Sequence, residues 1–238
     1  MKICIINGSP RKGNTYKATQ IFKARLENNK ENIEFTEFFL PRDLPHFCCG
    51  CYNCFERSEH KCPHARYTLP MEQAMKEADA LIITSPVYVL AESGAVKAFL
   101  DHYGYMYLPH RPMEEMFSKV GMVISTTAGA GTALTIKTIS KSLSYWGVKR
   151  VFKCGLRLLD KNWEDMKPKK QRKFEEKLFK KADKFYKAVR EKDKLHTRIH
   201  TRFVFMMIKK MLSGCEDTHT DKKYWINKGW VNGQNKPF

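Results

Sequence analysis

The stretch KICIINGSPRKGNT, Lys2–Thr15, decides the fold because an apolar run passes directly into a glycine-containing turn. A run this short, bounded at once by turn residues, predicts a buried central strand of a parallel sheet. Gly8 and Gly13 permit backbone dihedrals that let several N–H groups point at one spot, and the helix predicted from about Thr15 adds its partial positive charge there. The sequence therefore predicts an anion-binding loop, most simply for a phosphate.

The residues of this loop indicate which kind of phosphate-containing ligand it could bind. The spacing Gly8-x4-Gly13 is one residue away from a nucleotide-triphosphatase P-loop, but Asn14 stands where that loop has its phosphate-binding lysine. The dinucleotide fingerprint GxGxxG is also absent here. A single monophosphate, held by backbone amides and by Ser9, Asn14 and Thr15, fits better. A plain strand-to-helix turn is the alternative, although these side chains supply more donors than a turn needs.

Composition limits the classes of protein to which this chain can belong. The 238 residues, 42% of them hydrophobic, suffice for one large domain or for a domain with an extension. No stretch approaches the roughly 20 apolar residues of a transmembrane helix, and the chain enters a strand without the regions of a signal peptide. We therefore expect a cytoplasmic protein, in which eight cysteines are more typical of metal ligands or redox groups than of disulfides.

Strands alternate with helices of about a dozen residues along the first part of the chain. The predicted strands begin near Lys2, Ile33, Ala80, Lys119 and Val148. This alternation predicts right-handed crossovers and an α/β fold, and five strands match a flavodoxin-like, doubly wound parallel sheet of order 2-1-3-4-5. The ligand loops of such a sheet follow strands one, three and four, which are residues 9–15, 85–88 and 126–132 here.

The chain is predicted to divide near residue 160. Residues 1–160 form the expected flavodoxin-like domain with a cysteine-rich loop at 46–64, and residues 161–238 form a basic helical C-terminal extension. Residues 161–210 hold 18 lysines and arginines against 7 acidic residues, so most of the net charge of +18 is local. We expect its amphipathic helix, about 166–190, to pack on the sheet and the apolar segment 202–212 to pack on a partner subunit. Contact with a membrane surface or nucleic acid is the alternative.

Four cysteines follow the pattern Cys48-x2-Cys51-x2-Cys54-x7-Cys62, and the last precedes a proline. Three thiolates at steps of three can wrap one side of an iron–sulfur cubane, and a fourth can close it. Zinc is possible with four thiolates, or with His46, His60 or His64 as a substitute, although a zinc site usually gathers two separated CxxC pairs. Thiols without a metal are the third interpretation. The cysteines outside the loop are interpreted as buried or incidental: Cys4, Cys154 and Cys215.

In combination, GSPRKGNT (8–15), the cysteine motif, SPVY (85–88) and SGAVKAFLD (93–101) resemble the iron–sulfur flavoproteins, which belong to the NAD(P)H-dependent FMN reductase group of the flavodoxin superfamily. The resemblance covers roughly residues 1–155. It implies FMN, with its phosphate at Ser9, Arg11, Asn14 and Thr15. It also implies an isoalloxazine ring resting against two loops, formed by Pro86, Val87 and Tyr88 and by Thr127, Ala128, Gly129 and Gly131. Because family members are oligomers, a homodimer or homotetramer is expected.

These observations predict an FMN-dependent oxidoreductase that passes electrons from NAD(P)H or ferredoxin through FMN to a small-molecule or protein acceptor. A [4Fe-4S] cluster at the four motif cysteines would exchange single electrons with the flavin. No catalytic residue is assigned, because the cofactor would carry the chemistry. Two alternatives stay open: a cluster-free NAD(P)H:quinone or nitro reductase, and a zinc-stabilised flavodoxin-like binding module whose basic helix recruits an acidic partner. Nucleic acid is not expected as a partner.

Overall fold

The computed structural model describes residues 1–29, 31–233 and 235–238. In this part of the chain the strands are β1 (Lys2–Asn7), β2 (Glu34–Phe39), β3 (Ala80–Tyr88), β4 (Ala91–Glu92), β5 (Val120–Thr127) and β6 (Arg150–Arg157). The α-helices are α1 (Asn14–Glu27), α2 (Asn53–Glu56), α3 (Ala65–Glu77), α4 (Gly94–His102), α5 (Thr132–Tyr145), α6 (Pro168–Arg190), α7 (Ile199–Ser213) and α8 (Thr220–Asn227). Short 3₁₀ helices span Glu59–Lys61, Gly104–Met106, Glu114–Ser118 and Lys192–Lys194.

The predicted α/β class with a parallel sheet is confirmed, but the predicted strand count and order need correction. The sheet has six strands instead of five, and its parallel path reads β2-β1-β3-β5-β6 instead of 2-1-3-4-5. The added strand, β4, pairs antiparallel with the end of β3. The chain doubles back there through Val89 and Leu90, both with positive φ. A two-residue strand leaves no alternating pattern in the sequence, which is why the prediction missed it.

Both faces of the sheet are covered, which explains the unbroken apolar run of β1. Ile3 and Ile5 belong to the core cluster shared with α1 and α6. Cys4 and Ile6 belong to the cluster on the opposite face, which is shared with α3, α4 and α5. All four side chains are buried. A parallel sheet with helices on both faces requires apolar residues at consecutive positions of its central strands, as the first stretch of sequence indicated.

Two parts of the C-terminal region pack in different places. The amphipathic helix α6 packs on the sheet as expected, with Leu178, Ala182 and Phe185 fully buried in the core. α7, α8 and the aromatic tail form a third apolar cluster with Leu108 and Phe117. The division at residue 160 stays a prediction. None of the helices in the described ranges combines the length and hydropathy that crossing a bilayer requires.

One face of α7 leaves large apolar side chains in solvent: Ile199, Phe203, Met206, Met207 and Met211. They recur at helical spacing along one side of the helix, while Phe205 and Leu212 are buried on the other. The predicted contact of this segment with a partner subunit stays a prediction.

Lys119 is a buried charge whose position predicts a pH-dependent stability. Its Nζ donates to the carbonyl oxygens of Lys76, at 2.9 Å, and Ala78 at the end of α3. Burial lowers the pKa of Lys119 to about 8, and the nearby charge of Lys192 acts in the same direction. Between this value and the ordinary lysine pKa of about 10.4, the unfolded chain binds more protons than the folded chain.

The free energy of unfolding is therefore expected to rise with pH across this window, through Lys119 alone by as much as about 3 kcal/mol. Urea titrations of the wild type and Lys119→Met at pH 8, 9 and 10 isolate this contribution, because the other titrating groups are common to both proteins. The wild type should gain stability relative to the variant as the pH rises. A constant difference between the two proteins across the window would contradict the prediction.

Candidate functional site

Three loops meet at the carboxyl ends of β1, β3 and β5. The backbone N–H of Gly8, directly after β1, donates to the carbonyl oxygen of Thr84 in β3 at 2.9 Å. Ser93 caps α4 by accepting from the N–H of Val96, and its hydroxyl donates to the carbonyl oxygen of Gly8 at 2.7 Å. The hydroxyls of Thr15 and Thr126 lie 2.7 Å apart and join the first loop to the end of β5. The structure thus brings together the ligand loops expected at a topological switch point.

The four residues predicted for phosphate lie at or next to the N-terminus of α1. Gly13 is the N-cap and offers no side chain to the first N–H groups of the helix, so these groups are free to bind an anion. The Asn14 side chain donates to the carbonyl oxygen of Lys161 at 2.9 Å. The Ser9 hydroxyl donates to the Arg11 carbonyl oxygen at 2.8 Å. The N–H groups at the start of α1 and the exposed Arg11 guanidinium are therefore the donors that this loop can offer to an anion.

The residues predicted for the ring lie on two loops that contact each other. Gly131 has φ of 101°, and a Cβ at this position would lie 2.6 Å from Val87 Cγ1 and 2.9 Å from Leu90 Cα. The hydroxyl of Thr127 donates to the Ala130 carbonyl oxygen and accepts from the Gly129 N–H, which holds this loop in a turn. The residues predicted for the ring differ in exposure. Half-buried are Pro86, Val87, Thr127 and Gly131, and exposed are Tyr88, Ala128 and Gly129. These two loops could accept a flat ligand at the edge of the sheet.

The predicted metal-ligand cysteines line a separate cavity of about 1210 Å³. Six of the eight cysteines face it: Cys48, Cys49, Cys51, Cys54, Cys62 and Cys215. Burial, together with the neighbouring Cys62 and Cys48, raises the pKa of Cys54 to about 11. Burial also raises the pKa of Cys62, whereas the backbone N–H of Asn53 lowers that of Cys51. Four thiols close enough to influence one another form a donor set that fits an iron–sulfur cluster.

The C-terminal region supplies one wall of this cavity, which the sequence did not predict. Cys215, interpreted as buried or incidental, is half-buried and lines the cavity together with Glu216, His219 and Asp221. The segment is tied to the cysteine loop, because the Thr220 hydroxyl donates to the carbonyl oxygen of Glu56 at 3.0 Å. The only signal in the sequence was a cysteine and a histidine four residues apart in a basic tail.

Hydrogen bonds attach α8 to the segment that follows α4, one of them from the Tyr224 hydroxyl to the Pro112 carbonyl oxygen at 2.7 Å. His110 Nδ1 lies 2.9 Å from the Asp221 carboxylate. The indole N–H of Trp225 donates to the His110 carbonyl oxygen at 2.7 Å. The Arg111 guanidinium lies between the two regions, bonded to Glu59 at 3.0 Å and to the Cys54 carbonyl oxygen. The walls of the cavity are therefore formed by segments that are far apart in sequence and that hydrogen-bond to one another.

Comparison with known proteins places these features in a family. A model of the NADPH-dependent FMN reductase family matches residues 1–154. The chain belongs to this family. The match runs from β1 into β6, where it ends at residue 154, and so includes the three loops at the carboxyl ends of β1, β3 and β5 and the cysteine motif but not α6.

Several relatives carry the name iron–sulfur flavoprotein, among them the following two. The protein of Archaeoglobus fulgidus is 29% identical over 150 residues, which cover 62% of this chain and 64% of the relative. The protein of Methanocaldococcus jannaschii is 33% identical over 146 residues, which cover 58% of this chain and 69% of the relative. This chain thus spans less than two thirds of the length of the Archaeoglobus protein.

A solved structure shows the same fold at low sequence identity. The apo form of an NADH:FMN oxidoreductase is 19% identical, with a TM-score of 0.55, and the alignment covers 84% of this chain and 93% of that one. At this identity the likeness establishes the fold alone. The parallel sheet and the helices on it thus share the fold of this solved structure, whereas the C-terminal wall of the cysteine cavity lies outside the residues that the family model matches.

Proposed function

We propose that this chain is an FMN-dependent oxidoreductase that takes electrons from NAD(P)H or ferredoxin and delivers them to a small-molecule or protein acceptor. The observation that carries the proposal is the meeting of three loops at the carboxyl ends of β1, β3 and β5 in a chain of the FMN reductase family. FMN, when bound, can accept two electrons as a hydride and release them singly. A cytoplasmic location and a homodimer or homotetramer accompany this proposal.

The N-terminus of α1 would hold the FMN phosphate, with Ser9, Arg11, Asn14 and Thr15 around it. The Thr15 hydroxyl is bonded to Thr126 and the Asn14 amide to Lys161, so backbone N–H groups would provide most of the binding. The exposed Arg11 guanidinium would add a positive charge. This division of roles is typical of anion binding at a helix N-terminus.

Two loops would hold the isoalloxazine ring: Pro86, Val87 and Tyr88 on one side, and Thr127, Ala128, Gly129 and Gly131 on the other. Tyr88 presents an aromatic face at 41% exposure. The exposed backbone of Ala128 and Gly129 allows close approach of a ring edge. The protein would thereby position the ring and shield part of it from water.

A [4Fe-4S] cluster bound by Cys48, Cys51, Cys54 and Cys62 is the second part of the proposal. The four thiols line one cavity, and the relatives in Archaeoglobus and Methanocaldococcus bear the iron–sulfur name. Cys54 and Cys62 are half-buried, and Cys48 and Cys51 are exposed on the cavity rim. Such a site would allow single electrons to leave the flavin towards an acceptor.

The spectrum of protein purified without oxygen tests both parts. Flavin bands near about 370 and 450 nm, with a broad shoulder near about 400 nm that bleaches with dithionite, are expected for a protein with both cofactors. Flavin bands alone would indicate the cluster-free quinone or nitro reductase. A colourless protein that cannot be reconstituted with FMN would overturn the proposal and leave the zinc-stabilised binding module.

Two single-cysteine variants test the proposed cluster separately from the flavin. Cys48→Ser should lose iron and acid-labile sulfide while retaining the flavin bands. Cys49→Ser is the matched control, because this exposed neighbour lines the same cavity but lies outside the proposed ligand set. Undiminished iron in Cys48→Ser would rule out the proposed cluster ligands and leave the FMN proposal standing.

A further inference from the structure

Cys62, His64 and His102 bring their ligand atoms within 4.8 Å of one another at the edge of the cysteine cavity. Cys62 follows the 3₁₀ helix Glu59–Lys61, His64 is the N-cap of α3, and His102 ends α4. His64 Nδ1 lies 2.9 Å from His102 Nε2. The sequence did not indicate His102 as a ligand, because 38 residues separate it from His64.

The surroundings of His102 determine which of its nitrogens can bind a metal. Its ring is buried, and Nδ1 lies 2.7 Å from the carbonyl oxygen of Ala98. A carbonyl oxygen can only accept, so Nδ1 carries the proton and the Nε2 lone pair points at His64. A metal-binding histidine is commonly oriented in this way, by donating its other N–H to a backbone carbonyl.

The other two side chains are also held in place. The His64 ring stacks on His46 with centroids 4.6 Å apart and planes 9° from parallel. The His64 backbone N–H donates to Cys62 Sγ at 3.4 Å. One sulfur and two imidazole nitrogens are a ligand set that suits zinc-class divalent ions, with a fourth position left for water.

We propose that Cys62, His64 and His102 bind one divalent transition-metal ion of the zinc class when the cavity holds no cluster. Two nitrogen ligands of a tetrahedral zinc ion lie about 3.3 Å apart, given Zn–N distances of about 2.0–2.1 Å. The two imidazoles therefore need to separate by a few tenths of an ångström and to release the proton that lies between them. The three ligand atoms, now within 4.8 Å of one another, also need to draw together around the ion. All three residues line the cavity, from which water could reach the fourth position.

This site is independent of FMN, but it shares Cys62 with the proposed cluster. A cluster bound by the four motif cysteines uses the Cys62 thiolate, so the two occupants exclude each other. The ion also needs no contribution from Cys48 or Cys51. These two properties separate the proposal from the cluster proposal in experiment.

Cobalt(II) is the probe, added without oxygen to protein freed of metal and cluster. One equivalent should bind, with d–d bands to the red of the flavin absorption and the intensity of a four-coordinate site. His102→Gln should weaken cobalt binding by at least about 100-fold, since loss of a ligand exceeds the 10–100-fold effect of outer contacts. His60→Gln is the matched control, because His60 is exposed and does not line the cavity.

Further variants and a reconstituted sample distinguish loss of the metal site from poor folding and from cluster binding. His64→Gln, at a half-buried position, should also lose cobalt binding if His102→Gln folds poorly. Cys48→Ser should bind cobalt as the wild type does, and wild type reconstituted with iron and sulfide should not bind it here. Wild-type affinity in both histidine variants, or lost binding in Cys48→Ser, would overturn the proposal. The iron content of Cys48→Ser tests the cluster proposal separately.

Discussion

Gly8→Ala is expected to destabilise the protein by about 3 kcal/mol or more and to abolish flavin binding. A Cβ at this position would lie 2.1 Å from Val96 Cγ2 and 2.3 Å from the carbonyl oxygen of Thr84. The Thr84 oxygen accepts the Gly8 N–H, so it cannot move away without losing this hydrogen bond at the end of the β1–β3 pairing. A backbone atom cannot rotate away from such a clash as a flexible side chain can, so the loop proposed to bind the FMN phosphate would shift.

Urea titration and retention of flavin after gel filtration would measure the two effects of Gly8→Ala. Gly94→Ala is the matched control, because a Cβ there meets nothing within 4 Å and lies at the start of α4. This variant should change stability by no more than about 1 kcal/mol, in the stabilising direction, because alanine favours helices. An unchanged urea midpoint in Gly8→Ala would contradict the close approach of the first loop to Thr84 and Val96.

Trp225→Ala is expected to destabilise the C-terminal cluster by about 3–5 kcal/mol. The indole is fully buried, stacks on Phe205 with centroids 4.6 Å apart, and contacts Trp230 edge-on. Its N–H also donates to the His110 carbonyl oxygen. Because this cluster has its own apolar centre, separate from the two that cover the sheet, it should open before the sheet unfolds.

Opening of this cluster should expose the cysteine cavity, because the segment just before α8 forms one of its walls. Alkylation of the half-buried Cys54 and Cys62 in the metal-free protein should therefore be faster in Trp225→Ala. Hydrogen exchange should rise across α7 and α8 but not across β1. Trp225→Phe keeps a stacking ring but loses the donated hydrogen bond and part of the buried ring volume, so it should cost less than Trp225→Ala. Wild-type alkylation rates in Trp225→Ala would show that the wall does not depend on this cluster.

Much of the fold and part of the site could be predicted from sequence because the signals are local. The apolar run of Ile3, Ile5 and Ile6 reports burial on both faces of a strand, which is a property of consecutive residues. The ends of parallel strands meet at one edge, so predicting the strands also predicted which loops meet. The spacing of the cysteines between Cys48 and Cys62 likewise lies within a single loop.

By itself, then, the sequence determined the α/β class, the meeting of the three ligand loops and the grouping of the motif cysteines. Only the tertiary structure decided that β4 turns back on β3, that His102 reaches Cys62 and His64, and that the chain around Cys215 closes the cavity. The physical reason is the distance along the chain. The contact of Thr220 with Glu56 spans 164 residues and depends on how buried aromatic side chains pack, which no local period encodes.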